Sequence, residues 1–178
     1  MPTRRLFLCG LAALAVARPA MAADEREALF RQLREAKSER EGRMVEDAIW
    51  RMWMAQGPTA AIREAVAEAM RKRESYDFAG ALAILDGVVD QAPDYSEGWN
   101  QRAFIRFLRD DFDGSLDDIE RALELEPDHF AALAGKATIL MRLGRIEPGQ
   151  AALRRAVEIH PWLKERSMLL PPPAGRDI

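Results

Sequence analysis

Proline recurs at Pro93, Pro127 and Pro161, 34 residues apart each time. Ala69, Ala103 and Ala137 keep the same spacing. So do the hydrophobic set Phe78, Phe112, Ile146, the small set Ala81, Ser115, Gly149 and the aliphatic set Leu85, Ile119, Leu153. Val88, Ala122 and Ala156 follow it too, as do Asp90, Glu124 and Glu158. With proline at about 5% of residues, two further matches to a first one arise by chance roughly once in 400. The concordant columns leave no room for coincidence. A period of this length marks an array of supersecondary units, each too small to bury its own apolar face and therefore stacked on its neighbours.

Each unit reads as two helices. In the middle one, Ser96 to Arg109 is apolar at Trp99, Ala103 and Phe107, a helical spacing. Asp110-Asp111 makes a short acidic turn. A second helix runs from about Asp113 to Glu124, apolar at Leu116, Ile119 and Leu123, and Pro127 stops it by forcing its predecessor out of the helical region. Small residues recur at Ala103 and Ser115 because antiparallel helices approach closely there, and a larger side chain would pry them apart. The composition agrees: 48% hydrophobic residues exclude a disordered chain, and 31% charged residues exclude a multi-span membrane protein.

The stretch from Glu97-Gly98-Trp99 through Glu126-Pro127 resembles a tetratricopeptide repeat. The family pattern asks for Trp, small, aromatic, small, apolar, Ala and Pro at fixed positions, met here by Trp99, Ala103, Phe112, Ser115, Ile119, Ala122 and Pro127. The units 62–95, 96–129 and 130–163 would be repeats one, two and three. The flanking ones match less fully, with Ala65 and Leu133 in place of Trp99. Glu68, Arg102 and Lys136 stand where Leu is common; the Arg102 stem is expected to pack while its head reaches water. The resemblance implies an all-α, right-handed helical solenoid of antiparallel helix pairs.

Residues 23–58 leave two readings open. Ser38-Glu39-Arg40-Glu41 resembles a capping box at the start of a second helix carrying Ile49, Trp50 and Trp53, which Gly57-Pro58 breaks. This segment is either a degenerate fourth repeat or a helical hairpin that caps the array, since terminal units must close an exposed core. At the other end, Trp162 to Leu170 is expected to form a short capping helix (its end at 164–170), and 171–178 a disordered tail.

Residues 1–22 read as an address. Arg4 and Arg5 precede an apolar run from Leu6 to Val16, too short to span a bilayer, and Ala20-Met21-Ala22 is a small-x-small cleavage signature. Thr3-Arg4-Arg5-Leu6-Phe7-Leu8 resembles the twin-arginine export motif, with Cys9 where lysine is common; the general secretory route is the alternative. Cleavage after Ala22 into the periplasm would move the formal charge from −3 to −6 and remove the one cysteine, Cys9. Such a mature chain would form no disulfide and offer no thiolate.

Little in the remaining residues suggests catalysis. His129 and His160 fall at inter-repeat turns without a partner at metal-ligand spacing, so a structural or surface role is expected for each and no metal or cofactor. Asp110-Asp111 and Asp117-Asp118 read as solvated turn and helix-face residues. Arg71-Lys72-Arg73 ends a helix, where cations suit the dipole, and is too short for a nucleic-acid footprint. Core packing is the first expectation for Trp50, Trp53, Trp99 and Trp162.

What remains is a surface. The resemblance implies that the first helix of each repeat lines a concave groove. Of the residues it places there, Met70, Phe104, Phe107 and Met141 would accept an apolar segment, Asn100 would bond a peptide backbone, and Arg142 would take a carboxylate. The expected function is thus a periplasmic interaction module that docks a partner helix or extended peptide, with no nucleic acid and no membrane span in the mature chain. The alternative is a small-molecule or lipid carrier with an aromatic pocket near Trp50 and Trp53; an enzyme is the third reading. A competing view of Phe104 and Phe107 is that the chain's own caps cover them.

Overall fold

The computed structural model describes residues 20–171; the predicted export signal up to residue 19, and the predicted tail beyond residue 171, lie outside the described residues. Among the described residues there are eight α-helices and no strand. They are α1 (Ala20–Glu35), α2 (Glu39–Ala55), α3 (Ala60–Glu74), α4 (Phe78–Gln91), α5 (Ser96–Leu108), α6 (Phe112–Leu125), α7 (Phe130–Arg142) and α8 (Ile146–Ile159). The pairs α3–α4, α5–α6 and α7–α8 are the three units of the 34-residue period. They pack in sequence, α4 on α5 and α6 on α7, so the molecule is a helical solenoid.

The period dictates the local geometry. Ala69, Ala103 and Ala137 are buried where the two helices of each unit cross. Opposite them stand Ala81, Ser115 and Gly149, also at the crossing. The Ser115 hydroxyl donates to the Ala103 carbonyl at 2.7 Å, so the polar atom costs nothing there. A Cβ added at Gly149 would meet Met141 Cγ at 2.7 Å and the Ala137 carbonyl at 3.1 Å. That site admits only glycine.

The turn inside each unit needs one left-handed residue. Tyr76, Asp110 and Gly144 fill it, with φ of 61°, 60° and 76°. Only Gly144 does so without steric cost. The next residue caps the second helix. Asp77 accepts from the Gly80 N–H at 2.9 Å and Asp111 from the Gly114 N–H at 3.1 Å. In the third unit Arg145 makes no side-chain cap. Pro148 stands where Gly80 and Gly114 do, and a proline has no N–H to be capped.

Arg102 does not send its head to water. Its guanidinium donates to both Asp118 oxygens, Nε at 2.9 Å and Nη2 at 2.7 Å, and reaches Asp86 at 3.0 Å. It also lies 4.9 Å from the centre of the Trp99 ring. Asp118 is therefore a buried partner and not a solvated face residue. Burial pushes its carboxyl up, and Arg102 and Arg106 pull against that shift.

The hairpin α1–α2 does not extend the array as a regular repeat would. Ser38 caps α2 by accepting from the Glu41 N–H at 3.2 Å, and the Glu41 carboxylate accepts from the Lys37 N–H at 2.8 Å. The expected reciprocal box is thus present, shifted back by one residue. From there α2 packs against α5 and the start of α7. Phe30, Leu33, Ile49 and Trp53 join Phe130, Leu133, Ala137, Leu153 and Ala156 in one core, linking the first hairpin to the third repeat. Arg26 pairs with Glu126 at the turn between α6 and α7. The expected capping helix at the C-terminus is only a 3₁₀ turn over Lys164–Met168. Five residues are too few to repay helix nucleation. Gln150 instead holds the extended chain, donating to the Met168 carbonyl and accepting from the Leu170 N–H, both at 2.8 Å.

Two substitutions check this account. Ala103→Leu should overpack the crossing and lower the stability by about 1–3 kcal/mol, read as a fall in the denaturant midpoint. Tyr76→Gly should act in the opposite sense. The Tyr76 side chain is 81% exposed, so little contact is lost, and relief of the left-handed conformation should raise stability by about 0.5–1 kcal/mol.

Candidate functional site

The site begins with the way α2 is held. Running backwards along it, each inter-repeat turn contributes a contact. Tyr95, before α5, donates its hydroxyl to the Met54 carbonyl at 3.3 Å. Burial pushes the Tyr95 phenol well above its ordinary value, so it stays a donor. His129, before α7, stacks on Trp53 with ring centres 3.9 Å apart. His160, after α8, lies 3.2 Å from Glu46 through Nε2. Trp162 packs where Gly42 leaves room and donates to the Ala36 carbonyl at 2.9 Å. The helix is a strut laid across the turns of all three repeats.

His129 is fixed on every side. Its Nδ1 accepts from the Ala132 N–H at 3.3 Å, capping α7, so Nε2 carries the proton and faces Glu97 Oε2 at 3.0 Å. Glu97, fully buried on α5, also accepts from Gln101 at 2.6 Å and Asn100 at 3.3 Å. Both histidines are interior struts; the surface alternative falls. Their positions at inter-repeat turns did not show what they would meet; α2 supplies it, with Glu46 lying 114 residues from His160.

Between α2, α3, α5, α7 and the 3₁₀ turn a cavity of about 430 Å³ remains. Trp50, Phe104, Phe107, Trp162 and Thr138 line it, with Arg73, Asn100 and Gln101 along one part of the wall. Phe104 is 43% exposed, the most open aromatic of the wall. Its ring stacks near that of Phe107 at 6.4 Å and carries the Arg73 guanidinium at 5.2 Å. Arg73 had looked like the end of a helix-terminal basic cluster. In fact Arg71 pairs with Glu64 and Glu68 and Lys72 with Asp77, while Arg73 turns to the cavity.

The six residues expected in the groove separate into two groups. Asn100, Phe104 and Phe107 line the cavity, but Asn100 is buried and donates to Glu97, and Phe107 is half-buried against Ala103, Ile119 and Phe112. Met70, Met141 and Arg142 stand elsewhere. Met70 packs in the core of repeat one with Ile62, Val66 and Leu85. Met141 turns towards its own partner helix, where Gly149 makes space and Gln150 donates to its sulfur at 3.0 Å. Arg142 takes a carboxylate, but the chain's own: Asp110, at 3.1 Å, with Phe112 4.8 Å beneath it. Trp53 lies in the core and does not line a pocket; Trp50 does. No group of three or more His, Cys, Asp or Glu residues able to hold a metal occurs among the described residues, and no described helix is long and apolar enough to cross a membrane.

Comparison with known proteins bears on this arrangement. No family model matches the chain. A TPR repeat-containing protein of Rhizobium etli is 33% identical over 133 residues, covering 75% of this chain and 65% of that protein. A tetratricopeptide repeat protein 36 homolog of Nematostella vectensis is 37% identical over 67 residues, 38% of this chain and 37% of that one. The chain thus spans less than two thirds of the length of either relative. Among solved structures, the first TPR of Spaghetti (RPAP3), bound to an HSP90 peptide, superposes with a TM-score of 0.58 at 16% identity, over 60% of this chain and 85% of that one. A variant of MamA superposes with a TM-score of 0.52 at 14% identity, over 78% of this chain and 96% of that one. The fold is that of a tetratricopeptide-repeat solenoid. The sequence relatives carry the same repeat name, and the residues that carry the resemblance, Trp99 to Pro127, lie on α5, α6 and the turn that follows.

Two measurements test the site's construction. Phe107→Ser should cost about 1–3 kcal/mol because its ring fills the core of repeat two, whereas Phe104→Ser should cost about 0.5 kcal/mol or less. The Glu46 tie to α8 should depend on pH. The bond from His160 holds the Glu46 carboxyl below its ordinary value of 4.5. Its stabilising effect is therefore complete above that value and is lost as the pH falls through the lower folded-state value. Glu46→Gln should lower the thermal midpoint near neutral pH, and the gap to the unmodified chain should close in acid.

Proposed function

We propose that this chain is a member of the tetratricopeptide-repeat family and acts as a protein-interaction module of the periplasm. It docks an extended segment of a partner along the inner faces of α5 and α7. The exposed, stacked Phe104 in the cavity wall carries the reading. Its ring is continuous with Phe107 and Trp50 in one concave wall, and contiguous apolar surface of this kind suits docking. The solenoid of similar fold with a bound peptide, the first TPR of Spaghetti, lends it support. Because α2 lies across the inter-repeat turns, a whole partner helix would have to displace it, and a single extended strand suits the remaining space better. Export rests on the sequence: Arg4-Arg5, the short apolar run and Ala20-Met21-Ala22. Replacement of Arg4 and Arg5 together by Lys should leave the precursor in the cytoplasm if the twin-arginine route carries it.

A second reading has its own observation. The 430 Å³ cavity is of the size that small-molecule sites occupy. On this reading the protein is a carrier of a small apolar ligand held between Trp50 and Phe104.

A photo-crosslinking residue placed at Phe104, in cells that export the protein, separates the two. Attachment of one discrete polypeptide at position 104, absent when the probe stands at Met44, supports docking; Met44 is 64% exposed and outside the cavity. Equal crosslinking at both positions, or none at 104, would count against it.

A further inference from the structure

We infer that the cavity binds an amphiphilic monocarboxylate, with the carboxylate on Arg73 and the apolar chain along Phe104, Phe107 and Trp50. The inference rests on the carrier reading and names the ligand class.

The charges of the wall supply the sign. Three carboxylates line the cavity: Glu39 pairs with Arg43 and Glu46 with His160, while Glu165 meets Lys164 through one oxygen at 3.5 Å and its buried Oε2 has no hydrogen-bond partner among the described residues. Three cations of lysine or arginine line it. Arg43 and Lys164 are those partners, and Arg73 makes no ion pair among the described residues. Of its five N–H groups, one donates, to Gln101 Oε1 at 3.2 Å. Gln101 in turn donates to the buried Glu97, so an amide stands between the guanidinium and that carboxylate.

Position fixes the ligand's direction. All three carboxylates stand on α2 and the 3₁₀ turn, while Arg73 stands on α3 against α5. Arg43 and Lys164 stand in the first region too and are taken up by those carboxylates, so an anionic head finds its free cation in the second. The Arg73 guanidinium rests over the Phe104 ring, which leaves its in-plane N–H groups for a carboxylate, the group they fit in pairs. Phe107, Trp50, Ala131 and Ala134 give the wall an apolar stretch that suits a hydrocarbon or aromatic chain.

Titration calorimetry with decanoate, 1-decanol and decyltrimethylammonium, each below its micelle-forming concentration, tests this. Decanoate should bind saturably, one per chain, ahead of the alcohol and the cation. Arg73→Met, which keeps the stem on Phe104, should weaken decanoate at least about tenfold and leave decanol almost unchanged. Arg73→Lys, which keeps the charge but not the paired N–H groups, should restore only part of the affinity that Arg73→Met loses. Far-UV circular dichroism checks that both variants fold; if Arg73→Met does not, the order of the three probes on the unmodified chain decides. Equal binding of decanoate and decanol, unaffected by Arg73→Met, overturns the carboxylate assignment while the carrier reading stands. Tighter binding of the cation reverses the sign and overturns it as well. No binding of any probe removes both the inference and the carrier reading.

Discussion

The stack of Trp53 on His129 is the contact on which the molecule's shape depends. A repeat array by itself is quasi-one-dimensional: each unit touches only its neighbours. Here a tryptophan from the first hairpin lies flat on an imidazole that caps α7 and bonds a fully buried carboxylate on α5. Trp53 alone would anchor α2 at a point. With Tyr95 on one side and His160 and Trp162 on the other, the anchorage becomes a line along the helix. Contacts more than 100 residues apart in sequence then oppose a change in curvature, because bending the solenoid must break a stack, side-chain hydrogen bonds and a core together.

Most of the solenoid was legible because its rules are local and repeat. A proline every 34 residues, small residues at each crossing and a helical apolar spacing are statements about neighbours, and neighbours are what a sequence displays. The route of the first hairpin was not legible. Ile49, Trp50 and Trp53 show that α2 has an apolar side but not which surface it will meet, and its partners lie in three separate turns. The column Tyr95, His129, Leu163, also 34 residues apart, carried the missing signal. Turns facing water do not need a large buried side chain at the same place in each unit. That column marked one side of the array as covered.

The candidate site divides along the same line. Phe104 kept the exposure that its helical position gives it. Met141 did not face the groove, since Gly149 removes the side chain that would have kept it out of its own repeat. Asn100 and Gln101 were drawn inward by Glu97, a carboxylate whose burial at the start of α5 nothing in its immediate sequence announces. An uncompensated buried charge is expensive, so the nearest amides and the imidazole are recruited to it before any ligand arrives. Arg73 is what this recruitment leaves over.

The strut and the cavity are consequently one device. Trp50 belongs to α2 and lines the cavity, and it also meets Trp53 edge-on at 5.5 Å. Any occupant that touches both Trp50 and Phe104 bridges the hairpin and the second repeat. It can do so only while α2 lies in place, because the wall it needs is otherwise missing. Its binding free energy therefore adds to the stability of the closed arrangement by mass action. Reciprocally, whatever loosens α2 must weaken the occupant by the same factor. A long partner helix seeking the same inner faces would compete with α2, whereas a small or extended occupant would reinforce it. The direction of coupling between hairpin and cavity thus follows from the occupant's size, through contacts already present in the wall.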